Sequence, residues 1–178
     1  QTCLRFAQQW RDRVAEKDNS WKIPACSYAA RCHGLAGKIF HQQGQLVQAR
    51  EAFEAGLKLS ESLLGSRYGD EDHATLLKDF LSLGPATFGE AHWRDASDRC
   101  RVLTIKLRKN HPDVGQYHVL AIAAAVVRAR GLQAMGDKQT AAQACEEGLR
   151  DIAEAEVRFE GAIDLSSRRT ELELLKKE

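Results

Sequence analysis

Six histidines and one acidic run are the residues of this 178-residue chain that could do acid–base or metal chemistry. His33 and His41 are eight positions apart, and His111 and His118 are seven apart, whereas two zinc ligands on one helix are typically four apart. The run Asp70–His73 lacks the alternating oxygen ligands and the glycine of a calcium loop. We therefore expect His33 to be a packing residue, the run to be a solvated loop, and the chain to hold neither a metal nor a cofactor.

Nucleophile and phosphate-binding motifs do not occur in the sequence either. The five cysteines form no Cys-x-x-Cys pair, and Cys100 and Cys145 fall at apolar positions of helical patterns, which predicts burial. The segment Gly65–Gly69 is not followed by the Lys and Ser or Thr of a phosphate-binding loop. We therefore expect a protein that is not an enzyme, with free thiols in a reducing, cytoplasmic compartment.

Composition excludes two further classes of protein. Lys and Arg number 26 and Asp and Glu number 25, whereas nucleic-acid-binding domains usually carry a basic excess. The longest apolar run, Val119–Val127, is far shorter than the roughly 20 residues that cross a bilayer. We therefore expect neither nucleic acid nor membrane as a partner. Because the sequence begins at Gln1, we also expect it to be a segment of a longer protein.

The elements that position these residues are predicted to be helices. Small and apolar residues recur at helical spacing on both sides of Gly44. They are Ala36, Gly37 and Phe40 before it, and Leu46, Ala49, Phe53 and Leu57 after it. This pattern predicts a helix hairpin around a tight glycine turn, with small residues allowing close approach of the two helices. The same offsets recur at Leu132, Gly136, Ala141, Cys145 and Leu149, and more weakly at Gly84, Ala91, Trp93, Ala96 and Cys100. No alternating run predicts a strand, so the fold class is all-α.

The spacing of small, aromatic and glycine residues around Gly44 resembles the tetratricopeptide repeat, with His33 where that family has Trp and Gly56 where it has Ala. The units here are about 45 residues long, against about 34 in the ordinary repeat, and an Asn110–Asp113 turn joins two of them. This is similar to the extended repeats of kinesin light chains and related bacterial adaptors. The resemblance covers residues from about 26 to 155. It implies a right-handed superhelical solenoid of antiparallel helix hairpins.

We predict a single domain over residues 1–178. Its parts are a half repeat (1–20), repeat one (21–65), repeat two (66–110), repeat three (111–157) and a capping helix (158–178). We also expect a helix from Leu46 to about Leu64, followed by a loop over Gly65–Asp72 with Asp72 as a cap. Further along the chain, we expect a kink at Gly84–Pro85 and a helix that starts at Pro112.

The first helices of stacked hairpins line the concave side of such a solenoid. The residues at the positions of these helices that face the groove predict a mildly basic surface. They are Arg31, Lys38, His41, Gln42, Lys78, Phe88, Arg130 and Gln133. We expect this groove to bind a peptide or protein segment that bears acidic residues, as in a scaffold or adaptor, because Arg and Lys anchor carboxylates. One alternative is a regulatory or sensor segment that holds part of its own chain and releases it on a signal. Another is that these are ordinary solvated positions.

Overall fold

The computed structural model describes Arg5, Gln9, Asp12 and residues 22–160 and 162–177. Every element in this part of the chain is a helix, which confirms the all-α class. None of the described helices is long and apolar enough to cross a membrane. The half repeat predicted over residues 1–20 lies, but for three residues, outside the described part. The chain divides into two compact units, Gln1–Leu83 and Gly84–Glu178, and this boundary falls inside the predicted second repeat.

The first unit contains α1 (Lys22–Gln42), α2 (Leu46–Glu61) and α3 (Arg67–Leu81). α1 and α2 form the predicted hairpin, and the turn between them uses Gly44 with a φ of 72°, which glycine adopts without strain. Phe53 is fully buried on α2. A Cβ added at Gly37 of α1 would lie 2.7 Å from its ring, so the predicted need for a small residue there is confirmed.

The predicted loop over Gly65–Asp72 is wrong. α2 ends at Glu61, before the expected Leu64, and α3 already begins at Arg67. The cap is Ser66 rather than Asp72, because the Ser66 Oγ accepts a hydrogen bond from the Gly69 N–H at 3.0 Å. The acidic run therefore lies within a helix, where Asp70, Asp72 and His73 are buried instead of solvated.

The second unit contains α4 (Pro85–Phe88), α5 (Glu90–Asn110), α6 (Gly115–Ala134), α7 (Lys138–Phe159) and α8 (Ser166–Leu175). α6 and α7 form the second predicted hairpin, again around a glycine of positive φ, Gly136 at 76°. Cys100 and Cys145 are buried as predicted, with 1% and 0% of their surfaces exposed. α8 lies within the predicted capping segment and buries Leu172, which meets α7 at Gly148.

Two predicted features of the proline-containing segments are wrong. No helix runs through Gly84–Pro85 to be kinked, because Gly84 adopts a φ of 83° and Pro85 is the first residue of the single turn α4. Proline suits that position, since it has no N–H to leave unpaired. Pro112 does not start a helix, because α6 begins at Gly115.

Candidate functional site

Asp72 of α3 reaches back to α1 and pairs with a cation there. Its carboxylate accepts a hydrogen bond from the Arg31 Nε at 2.7 Å and another from the Ser27 hydroxyl. Asp72 is only 3% exposed, and a buried carboxylate is costly unless it is paired and hydrogen-bonded. These two contacts therefore explain how an acidic side chain lies at the interface between α1 and α3.

Asp79, two helical turns further along α3, is held in the same way. Its two carboxylate oxygens lie 2.6 Å from the Lys38 Nζ and 2.7 Å from the Lys78 Nζ. The Asp79 side chain is 10% exposed, whereas Lys38 keeps 47% of its side chain in solvent. The two lysines predicted to line the groove thus meet at one carboxylate.

Three large apolar side chains are exposed on α1 beside these cations. Tyr28, Leu35 and Ile39 keep 64%, 58% and 52% of their surfaces in solvent. Their spacing of seven and four residues places them on one helical face. The surface that they share with neighbouring polar residues is termed the α1 stripe, and it consists of Tyr28, Arg31, Leu35, Lys38, Ile39 and Gln42. Exposed apolar patches bordered by polar groups are typical of protein-binding surfaces.

The residues predicted to form one groove are divided between the two units. The first unit contains Arg31, Lys38, His41, Gln42 and Lys78, and the second contains Phe88, Arg130 and Gln133. His41 and Gln42 are exposed in the last turn of α1. Phe88 is 7% exposed, so it offers almost no surface to a partner.

Arg130 and Gln133 of α6 both contact α8. The Arg130 guanidinium lies 2.5 Å from the Glu171 carboxylate, and the Gln133 amide donates a hydrogen bond to the Leu175 carbonyl oxygen at 2.6 Å. Arg130 still exposes 61% of its side chain. In the second unit, two of the three predicted binding residues, Arg130 and Gln133, therefore hold α8 in place.

Each unit contains an ion pair between two helices, and the two pairs have the same register, meaning the same separation along the sequence. The Lys38–Asp79 pair and the Arg130–Glu171 pair have equal sequence separations. In each pair the cation lies on the first helix of a hairpin and the carboxylate lies on the helix after that hairpin. Both units therefore contain an ion pair of the same kind between the first helix of a hairpin and the helix that follows it.

A further set of ion pairs joins α5 to α7 in the second unit. Three arginines of α5, spaced seven residues apart, pair with three carboxylates at 2.7–2.8 Å, as Arg94–Asp137, Arg101–Glu147 and Arg108–Asp151. Asp137 also caps α7, because its carboxylate accepts a hydrogen bond from the Thr140 N–H at 3.2 Å. These pairs fix the first turn and the middle of α7 against α5.

Two of these carboxyl groups have shifted pKa values, in opposite directions. Hydrogen bonds from the Arg94 guanidinium, and then from Thr140, lower the pKa of Asp137. Burial raises the pKa of Asp151, and the guanidinium of Arg108 at 2.7 Å only partly opposes that shift. Asp137 therefore favours the folded state in its ionised form, whereas ionised Asp151 is tolerated because Arg108 accompanies it.

The histidines and cysteines of the described residues form no metal-binding group, because no three His, Cys, Asp or Glu side chains in this part of the chain lie close enough to hold a metal ion. The buried His73 instead lies against Ser60, with its Nδ1 2.8 Å from the Ser60 Oγ. Cys26, Cys32, Cys100 and Cys145 are buried and form no disulfide. Burial raises the pKa of the Cys145 thiol, which lowers its thiolate fraction near neutral pH. His33 is half-buried on α1.

The apolar members of the α1 stripe were not among the residues predicted from the sequence. The available signal was the spacing of Tyr28, Leu35 and Ile39, which lie on a different side of the helix from Gly37 and Phe40. A helix with apolar residues on two sides must either bury both or leave one exposed. The sequence alone does not decide between these outcomes.

Comparisons of this chain with protein-family models, with curated proteins and with solved structures find no match. Function is therefore inferred from the α1 stripe and from the ion pairs that lie behind it.

Proposed function

We propose that this chain is a non-catalytic protein–protein interaction module that binds a partner segment on the α1 stripe. The partner is a peptide or protein segment that carries both apolar residues and carboxylates. The observation that carries this proposal is the exposure of Tyr28, Leu35 and Ile39 on one helical face that also carries Arg31 and Lys38. A surface of this composition fits an amphipathic segment, as helix-binding surfaces do.

The apolar side chains supply most of the binding energy in this proposal. Fully burying one large apolar side chain is worth about 1.5–3 kcal/mol, and each of these three is already partly covered, so about 1 kcal/mol each is available. Arg31 and Lys38 contribute less, because each is half-exposed and already has a carboxylate partner in α3. Their role is to select the partner's charge and orientation.

The local charge favours an acidic partner. Three cations face two carboxylates where α1 meets α3, and the residues concerned are Arg31, Lys38, Lys78, Asp72 and Asp79. Arg31 and Lys38 border the exposed apolar side chains and keep 55% and 47% of their own side chains in solvent. A partner's glutamate or aspartate could therefore pair with them.

A tetratricopeptide-like solenoid is the architecture we infer for the module. The hairpins around Gly44 and Gly136 support it, as does the equal register of the Lys38–Asp79 and Arg130–Glu171 pairs. The buried free thiols fit a reducing compartment such as the cytoplasm. We infer a scaffold or adaptor role from this combination of repeats and an exposed stripe.

The test uses a labelled synthetic helical peptide that presents leucines along one face and glutamates beside them. We expect saturable binding in fluorescence anisotropy, and we expect the same peptide with lysines in place of the glutamates to bind at least tenfold more weakly. The triple variant Tyr28→Ser, Leu35→Ser, Ile39→Ser should lose binding while its circular dichroism is unchanged, because these side chains are exposed.

The chain offers a matched control for that variant. Val47, Val102 and Val157 are equally exposed apolar residues outside the α1 stripe, with 67%, 61% and 81% of their surfaces in solvent. Replacing all three by Ser should leave the affinity unchanged. Equal losses in the two triple variants, or equal binding of the lysine peptide, would disprove the proposed site.

A further inference from the structure

A small cavity lies among α5, α6 and α7 of the second unit. Its volume is about 110 Å³, and its lining includes Trp93, Arg94, Ser97, Asp98, Arg128 and Leu132. None of these residues belongs to the α1 stripe. The cavity is therefore a second candidate site, and its function does not depend on the proposed function of the stripe.

Ser97 is the lining residue whose buried hydroxyl lacks a hydrogen-bond partner within the described part of the chain. The residue is 3% exposed, and its Oγ has no hydrogen-bond partner among the described residues. Leaving a buried hydroxyl unsatisfied is costly, and native proteins usually satisfy such a group. A molecule bound in the cavity would supply the missing partner.

Arg128 supplies a cation that its own chain holds only loosely. Its side chain is 16% exposed, and its nearest carboxylate oxygens, on Glu147 and Asp98, lie at 3.3 Å and 3.6 Å. Both distances exceed the roughly 2.7–2.9 Å of a good charge-assisted hydrogen bond. Arg94, in contrast, is bound tightly to Asp137 at 2.8 Å. The N–H groups of the Arg128 guanidinium could therefore donate hydrogen bonds to a planar anion.

The remaining lining restricts the ligand in charge and in size. Trp93 and Leu132 are 1% and 2% exposed and form an apolar wall that suits hydrocarbon. The lining carries two cations, Arg94 and Arg128, and one carboxylate, Asp98, which favours a ligand with a single negative charge over the two of phosphate. The volume is somewhat smaller than the about 150 Å³ cavity that holds benzene, so the ligand has about five or six heavy atoms.

We propose that this cavity binds an alkyl carboxylate, with its carboxylate on Arg128 and Ser97 and its hydrocarbon against Trp93 and Leu132. Propionate and butyrate have this size and charge. The side chain of a glutamate in a partner peptide has the same chemistry, so the two sources must be separated by experiment.

The test is a titration of the isotope-labelled chain with sodium butyrate, followed by NMR at constant ionic strength. We expect saturable shifts at the Trp93 indole N–H and at the Ser97 amide, with millimolar affinity. Neutral butyramide and dianionic phosphate should not produce them. Absence of saturation, or equal shifts with either of these compounds, would overturn the proposal.

Three variants assign the contacts. Ser97→Ala should weaken butyrate binding several-fold, since it removes one hydrogen bond, and Arg128→Gln should weaken it at least tenfold. Arg101→Gln is the matched control, because Arg101 also pairs with Glu147 but does not line the cavity. Thermal melting of each variant verifies its fold. Unchanged affinity in Ser97→Ala, or an equal loss in Arg101→Gln, would contradict the assignment.

A blocked tripeptide, acetyl-Ala-Glu-Ala-amide, distinguishes the two sources of the carboxylate. If it shifts the same resonances more strongly than butyrate, the cavity receives a partner's glutamate side chain. If butyrate binds and the peptide does not, the ligand is a free short-chain acid. Both results support an alkyl carboxylate site, whereas absence of saturable butyrate binding refutes it.

Discussion

Gly131 of α6 lies so close to the indole of Trp93 in α5 that a Cβ added at Gly131 would overlap the ring. Trp93 is 1% exposed and cannot move outward without opening the interface between the two helices. We expect Gly131→Ala to lower the free energy of unfolding by about 1–3 kcal/mol, because overpacking outweighs the gain in helix propensity. Urea denaturation measures this loss.

A matched substitution tests the cause of that loss. At Gly34 an added Cβ would meet only a methyl of Leu76, at 2.5 Å, and a flexible side chain can yield. Gly34→Ala should therefore cost less than Gly131→Ala. Adding Trp93→Phe to Gly131→Ala should recover part of the stability, since the smaller ring leaves room. Equal costs for the two glycines would contradict the steric explanation.

Asp79→Asn should destabilise the first unit more than loss of either of its lysine partners. Asp79 is the less exposed partner of both Lys38 and Lys78, so its removal leaves two ammonium groups without their shared carboxylate. We expect a loss of about 1–2 kcal/mol, below the cost for a fully buried pair because the lysines reach solvent. Lys38→Met should cost less than 1 kcal/mol, since Lys78 still pairs with Asp79. A larger cost for Lys38→Met in urea denaturation would contradict this order.

The stability supplied by Asp137 should depend on pH. Hydrogen bonds from Arg94 and Thr140 lower the pKa of Asp137 in the folded state, whereas in the unfolded chain it returns to about 3.8. Ionised Asp137 therefore stabilises the fold fully above that pH, and the contribution is lost as the pH falls through the lower folded pKa. The substitution Asp137→Asn removes the charge and keeps a capping side chain.

Thermal melting at a series of pH values measures this effect. The Tm difference between the unaltered chain and Asp137→Asn should be constant from roughly pH 5 upward and should shrink below pH 3.8. In an Arg94→Gln background the difference should be smaller at every pH, because the largest cause of the pKa shift is gone. A difference that grows as the pH falls would refute the stabilising role of the ionised carboxyl.

Cys145 should resist alkylation while the chain is folded. It is fully buried, and burial raises the pKa of its thiol, so both access and thiolate fraction are reduced. Iodoacetamide at mildly alkaline pH should leave the Cys145 peptide unmodified, as read by mass spectrometry, until urea unfolds the chain. A Cys3→Ser background removes a thiol that lies outside the described residues. Labelling of folded Cys145 at the rate of a small-molecule thiol would contradict the burial.

The two hairpins are predictable from the sequence because their signals are local. Gly44 and Gly136 each interrupt a helical period, and Phe53 and Cys145 mark the buried position that follows. Such patterns depend only on neighbours within a few turns of the same helix. No distant contact is needed to recognise them.

The beginning of α3 is not predictable in this way. The residues from Ser66 to His73 have the composition of a loop, and the burial of Asp72 depends on partners elsewhere in the chain. Asp72 becomes a helical residue in the interior because Arg31, 41 positions earlier, neutralises it. The sequence contains both residues but does not indicate that they meet.

Two residues of the α1 stripe, Arg31 and Lys38, were also expected at the surface from the sequence. Their spacing places both on one face of α1, where each is about half-exposed. Their role in binding stays a prediction. That each already has a carboxylate partner follows only from the position of α3. The burial of Phe88 likewise follows from the break at Gly84, which turns the predicted helix into a separate short turn.

The equal register of the Lys38–Asp79 and Arg130–Glu171 pairs has a consequence for the order of folding. Each hairpin joins chain neighbours, whereas α3 and α8 are held by cations about 40 positions earlier, and closing that loop costs entropy before the contact forms. We therefore expect the hairpins α1–α2 and α6–α7 to form first and α3 and α8 to dock late. Weakening either ion pair should accelerate unfolding and leave the folding rate almost unchanged.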